Sequence, residues 1–176
     1  IAGGVDGRHG HASAYLAMAA CARSELLLAT PYFLPGRRLS SALVAAVGRG
    51  VRVVVVVPRP NDLAWFKHAA RRLYHSLLAH GVEIWERCDR MVHAKVAVVD
   101  REVAAVGSVN LNRQSMHANS ETLLLTAAPQ VVAEARALAH DESLAAADRL
   151  HPLGWGRHPD RLRWAETLAT AVDLVF

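Results

Sequence analysis

Val51-Arg52-Val53-Val54-Val55-Val56-Val57-Pro58 is a β-branched run with one interruption, Arg52, closed by a proline. A strand with one wet face alternates apolar and polar residues. A run without alternation is covered on both faces, as parallel strands are when helices pack above and below them. The flanks agree. Leu39 to Val47 upstream has helical spacing, with Ser40 or Ser41 near its start, and Asn61-Asp62 downstream caps a helix that runs to about Leu78 and ends at Gly81.

Further out the alternation continues. His11 to Arg23 carries Tyr15, Leu16, Ala19 and Ala20 at helical spacing, and Leu26 to Ala29 is a short buried strand stopped by Thr30-Pro31. Pro35-Gly36 turns the chain before the Leu39 helix. After Gly81 come a strand Val82–Trp85 and a hairpin of Val92–Val99 with Val103–Val106, joined by a tight turn at Asp100-Arg101-Glu102. A polar loop, Ser108 to Ser120, leads to a strand Glu121–Thr126, and Pro129 opens a helix reaching about Ala147. Interleaved strands and helices predict an α/β fold: a mixed β-sheet flanked by helices on both faces. Residues 1–150 are expected to form one lobe. Residues 151–176 are expected to be a linker, His151–Asp160, followed by an amphipathic helix, Arg161–Phe176.

The composition fits one globular domain. The chain has 176 residues, 52% hydrophobic and 20% charged, with a mean hydropathy of +0.15, which excludes a disordered solvating segment. Lys and Arg total 20 against 16 for Asp and Glu, a net charge of +4, and that sign points to anionic partners such as phosphate or a membrane surface. No apolar run approaches the ~18–20 residues that span a bilayer. Cys21 and Cys88 form neither a disulfide framework nor a paired metal spacing. The opening Ile1-Ala2-Gly3-Gly4, without methionine, predicts a piece of a longer protein.

Chemistry concentrates in His93-Ala94-Lys95-Val96-Ala97-Val98-Val99-Asp100, Gly107-Ser108-Val109-Asn110 and Asn119-Ser120-Glu121. Residues two apart on a strand share a face, so His93 and Lys95 are expected to point the same way from the strand that carries them. Asp100, an odd number of positions on, points oppositely and is read as the residue that fixes the hairpin end rather than as a base. A histidine beside a permanent cation is a poor metal site and a good phosphate site. The lysine neutralises the anion while the imidazole attacks phosphorus or moves protons. Ser108 and Asn110 add neutral donors, and Glu121 is placed to accept the Nδ1 hydrogen and aim Nε2. An isolated His-x-Lys is usually an ordinary surface pair; the ordered set of spacings is what raises it above chance.

These residues resemble the phospholipase D superfamily, whose signature is His-x-Lys-x4-Asp followed by Gly-Ser-x-Asn. The closer resemblance is to the C-terminal half of bacterial cardiolipin synthases. It is carried also by Thr30-Pro31-Tyr32-Phe33-Leu34-Pro35, the Arg49-Gly50-Val51 step into a strand, Asp62, and Arg72-Leu73-Tyr74 before Gly81-Val82. The likeness covers about Tyr15 to Leu125, with residues 87–121 as the signature region. One departure is Asn112, where synthases often carry aspartate.

The resemblance implies a phosphatidyl transferase working through a phosphohistidine, with no metal or other cofactor. It groups His93, Lys95, Asp100 and Glu121 as the catalytic set, His93 being nucleophile or general acid. Lys95, Ser108 and Asn110 would hold the phosphate, and Tyr32 would either line the cleft at a strand's carboxyl end or serve as a core or interface aromatic. The family needs two signatures facing one phosphate, and His93-x-Lys95 is the one His-x-Lys in the chain. A missing N-terminal lobe or a homodimer partner is therefore expected. The implied partners are a phospholipid such as phosphatidylglycerol and a peripheral membrane contact at the cytoplasmic face of a bacterial inner membrane, with nucleic acid not expected. The alternatives are a phospholipase- or nuclease-type phosphodiesterase acting as a homodimer, and a non-catalytic lobe that binds anionic lipid. His9 and His11 are read as belonging to a solvated, glycine-rich start. The tail, with Leu162, Trp164 and Phe176 on one side and Arg157, Arg161 and Arg163 at its head, is read as a helix packed on the body or laid on a membrane.

Overall fold

A computed structural model of the chain describes residues 10–60, 64–141 and 144–151. The linker and terminal helix expected beyond His151, and the Asn61-Asp62 cap, lie outside the described residues. In chain order the elements are α1 (Gly10–Cys21), β1 (Glu25–Ala29), α2 (Arg37–Gly48), β2 (Arg52–Pro58), α3 (Ala64–Ala79), β3 (Glu83–Arg87), β4 (Val96–Val99), β5 (Val103–Gly107), α4 (Arg113–His117), β6 (Leu123–Thr126), α5 (Pro129–Arg136) and β7 (Ala147–Arg149). They form a seven-stranded mixed sheet in the order β6-β5-β4-β1-β2-β3-β7. β1, β2 and β3 are parallel, and the other neighbours are antiparallel.

The valine run behaves as its pattern requires. Val53, Val55 and Val57 join Leu26 and Leu28 in a core roofed by α1, α2 and α3 through Tyr15, Met18, Leu43, Ala46, Tyr74 and Leu77. Val54 and Val56 join Leu27, Val96 and Val98 on the other face, where Val132 and Ala135 of α5 cover them. The α/β architecture with helices on both faces follows from this two-sided burial. Arg49 closes α2 and also clamps α1, its Nη2 donating to the carbonyls of Ala19 and Ala20 at 2.7 and 3.2 Å.

Three sequence expectations are corrected. β4 starts at Val96, so His93 and Lys95 stand ahead of the strand rather than on it. The physical reason is its neighbour: Val96 pairs with Ala29, the last residue of β1, and Pro31 just beyond has no N–H to extend the ladder. The helix opened by Pro129 ends at Arg136 and continues as a π-helical turn over Ala137–Asp141. Ala147–Arg149 then form β7, because β3 offers a free edge and Arg59 Nη2 holds the Asp148 carboxylate at 2.7 Å. Finally, His11 is 2% exposed, buried in α1 rather than solvated.

Candidate active site

β1, β2 and β3 run parallel, and their carboxyl ends define one edge of the sheet, where ligands collect in open α/β folds. The topology delivers the signature to that edge. Lys95 precedes Val96, which pairs with Ala29 at the end of β1 and with Val106 near the end of β5. Ser108 and Asn110 follow Gly107, the last residue of β5. Glu121 sits two residues before Leu123, the partner of Gly107. Tyr32 follows β1 at the same edge, half-buried against the core.

Asp100 is separated from them. It lies at the opposite edge, one residue past Val99, whose partner is Leu26 near the start of β1. Its carboxylate accepts the N–H groups of Arg23, Ser24 and Glu25 at 2.8, 2.8 and 2.9 Å and the Ser24 hydroxyl at 2.9 Å. Burial pushes the Asp100 carboxyl up, and those donors outweigh it and hold it below the ordinary carboxylate range. Asp100 and Arg101 take left-handed φ values of 50° and 62°, and Glu102 N–H donates to the Val99 carbonyl at 2.9 Å. The signature aspartate thus fastens the β4–β5 turn to the foot of β1, at the sheet edge opposite His93 and Lys95.

His93 is exposed, while Lys95 is 9% exposed. The lysine folds back so that Nζ donates to the His93 carbonyl at 2.9 Å and lies 3.0 Å from Nδ1. Nζ is also 3.4 Å from Nε2, so the ammonium, which offers only protons, faces both ring nitrogens. Burial lowers the Lys95 ammonium from its ordinary value, and the charge of Glu121 partly opposes that.

Glu121 itself is engaged differently from expectation. Its carboxylate accepts the Ser108 hydroxyl in a short contact and the Asn119 amide at 3.2 Å, in place of the expected bond to His93. Ser108 Oγ also accepts the Thr122 N–H at 3.0 Å. A hydroxyl has one proton, and here it goes to Glu121, so Ser108 braces the glutamate in this arrangement. Gly107 explains why the motif opens with glycine. A Cβ there would come within 2.0 Å of the Thr122 carbonyl oxygen, so only glycine lets β5 and β6 close up at the point that sets Ser108 beside Glu121.

The Thr30–Pro35 segment is stitched to the loop after β5. Leu34 N–H donates to the Leu111 carbonyl at 2.8 Å, and the Leu111 N–H reaches Thr30 Oγ1 at 3.4 Å. Asn112 caps α4, its Oδ1 accepting the Ser115 N–H at 2.8 Å. The departure at this position is therefore physically mild, since asparagine and aspartate cap equally well. α4 fell inside the stretch read as a polar loop. The signal that could have shown it is Asn112, a favoured N-cap residue, three residues ahead of Ser115, whose backbone N–H it accepts. Among the described residues no helix is long and apolar enough to cross a membrane.

Comparisons with known proteins identify the family of the chain. Residues 15–141 match the family model described as cardiolipin synthase, PLD-like domain. The chain is 29% identical over 169 residues to the probable cardiolipin synthase YwiE of Bacillus subtilis, covering 96% of this chain and 34% of that protein. It is 34% identical over 147 residues to cardiolipin synthase A of Serratia proteamaculans, covering 84% and 30%. The chain thus spans about a third of the length of these relatives. Among solved structures, phosphatidylserine synthase of Haemophilus influenzae superposes with a TM-score of 0.71 at 17% identity, covering 91% of this chain and 42% of that one. The phospholipase D family member Nuc of Salmonella typhimurium gives 0.67 at 21%, covering 80% and 90%. The fold, the ordered signature in the sequence and the family match over residues 15–141 lead to one conclusion: this chain belongs to the phospholipase D-like domain family of cardiolipin synthases.

Proposed function

We propose that the chain is one catalytic lobe, residues 1–150, of a phosphatidyl transferase acting on phospholipid phosphodiesters through a phosphohistidine. The observation that carries this reading is the exposed His93 ring with the Lys95 ammonium 3.0 Å from its Nδ1, at the ligand-collecting edge of the sheet. A phosphodiester anion draws the ammonium to one of its oxygens, and the freed Nδ1 takes the ring proton. The Nε2 pair then forms a bond to phosphorus as the bond to the departing alcohol breaks. The departing oxygen takes its proton from an acid on the opposite side of phosphorus, in line with the attack. That acid comes from a second lobe, either upstream in the intact protein or in a symmetric partner. Transfer ends when an incoming alcohol gives its proton back to that group and its oxygen displaces His93. Either lobe's histidine can take the nucleophile's part, and the other is then the acid.

The relatives' names support cardiolipin as the product, and the proposed reaction takes phosphatidylglycerol as donor and acceptor, with glycerol released, at the cytoplasmic face of a bacterial inner membrane. A phosphodiesterase would differ only in using water as acceptor. Incubating the intact protein with phosphatidylglycerol vesicles separates the two. Cardiolipin and free glycerol in equal amounts are expected. Phosphatidic acid without cardiolipin would assign the chemistry to hydrolysis, and neither product would overturn the reading.

A further inference from the structure

Ser115 lies in α4, is 2% exposed, and is absent from the signature that carries the proposed chemistry. Its Oγ lies 3.4 Å from Nδ2 of Asn110. The other end of that amide, Oδ1, is buried without a hydrogen-bond partner among the described residues. An amide has two N–H protons and one carbonyl oxygen. With Oδ1 turned into the protein, the part of this half-buried side chain left to meet a ligand is the nitrogen. One of its protons goes to Ser115, and one remains.

A phosphodiester anion has oxygens to offer and no protons, so only the nitrogen end of Asn110 suits it. Turning the amide over would set a carbonyl oxygen against the anion and bury two donors in place of one acceptor. The backbone on either side is fixed by Val109 and Leu111, both fully buried, so the torsion of the side chain is the freedom that remains. An unsatisfied buried carbonyl is a standing incentive for the side chain to swing to another rotamer, and the bond to Ser115 opposes that swing. Ser115 is in turn aimed by the Asn112 cap, which holds its N–H at 2.8 Å.

We propose that Ser115 is a positioning residue that keeps the Asn110 amide nitrogen available to the substrate phosphate. The proposal rests on the reading of the His93–Lys95 edge as a phosphate site. The test is a double-mutant cycle on binding of inorganic phosphate by the intact protein, measured by calorimetry. Ser115→Ala and Asn110→Ala are each expected to weaken binding by roughly fivefold to tenfold, and the double variant no further, since both remove the same contact. Ser115→Thr, which keeps the hydroxyl, is expected to retain most of the affinity. Ser115→Cys, close in size but a weak donor and acceptor, serves if the alanine variant does not fold, and is expected to lose affinity as alanine does. Wild-type affinity in folded Ser115→Ala or Ser115→Cys, or losses that add in the double variant, would overturn the role of Ser115. Lys95→Ala distinguishes the two levels: if it too binds phosphate like wild type, the reading of the edge falls and the proposal with it. If it alone abolishes binding, the edge stands and only Ser115 is wrong.

Discussion

Replacing Asp100 with asparagine should weaken the fold and spare the chemistry. The substitution keeps size, tolerance of left-handed φ and one acceptor oxygen, while it removes the charge and turns Oδ2, now 2.8 Å from the Arg23 N–H, into a donor or an empty position. One hydrogen bond to a charged group is lost, and the three to Ser24 and Glu25 become neutral ones. Hydrogen bonds to charged groups are worth about 1.5–3 kcal/mol each and neutral ones about 1 kcal/mol, and partial exposure here favours the low end, so the loss should be about 2–3 kcal/mol. For a domain of this size that lowers Tm by roughly 5–10 °C. The carboxyl is held below its unfolded value, so the contribution is present above about pH 4 and disappears as pH falls through the folded value. The stability gap between Asp100→Asn and wild type should therefore narrow in acid. Turnover per folded molecule should stay within about twofold, because the length of β4, roughly 13 Å at about 3.3 Å per residue, stands between Asp100 and the Lys95 end of the strand. Thermal melts between pH 3 and 7, paired with turnover, decide it. A variant with wild-type Tm and a turnover loss like that of a His93 substitution would refute this account of the signature aspartate.

Gly107→Ala should destabilise by about 2–3 kcal/mol, since its Cβ meets backbone rather than a yielding side chain. It should also cost activity, because Ser108 and Glu121 shift together, and an unchanged melt would contradict the close-approach argument. Asn112→Asp should be neutral in stability and activity, whereas Asn112→Ala should lose about 1 kcal/mol with the cap; equal losses in chemical denaturation would show that capping is not its role. Turnover should survive exhaustive chelation, because one imidazole beside an ammonium offers a cation a single ligand and a repelling charge. Loss on chelation with recovery on adding a divalent ion would remove the phosphohistidine step.

How much was legible in the sequence depended on what fixed each feature. The two-sided valine run announced its environment because burial on both faces leaves no polar position, and the sheet places Val53 and Val54 in opposite cores. The signature was legible as a set because its spacing is chemical. What sequence spacing could not supply was where pairing stops. His93 and Lys95 leave the strand because β1 ends at Ala29, a fact about a neighbour more than sixty residues away in sequence. β7 arose likewise from the open edge of β3, overriding an alanine-rich helical pattern. Glu121, expected to begin the strand, stands two residues ahead of β6, and its partner depended on Gly107 letting β6 approach, which delivers Ser108 to it first.

In the proposed reaction His93 performs the chemistry. The most direct test is turnover of phosphatidylglycerol by the intact protein against His93→Ala, with both melts recorded. His93 is exposed and lies outside the strands, so the substitution should leave Tm within a degree or two, consistent with surface changes of about 0.5 kcal/mol or less. Whether it acts as nucleophile or as acid, its removal should lower turnover by at least about a hundredfold. A folded His93→Ala protein turning over at a near-wild-type rate would contradict the account at its base.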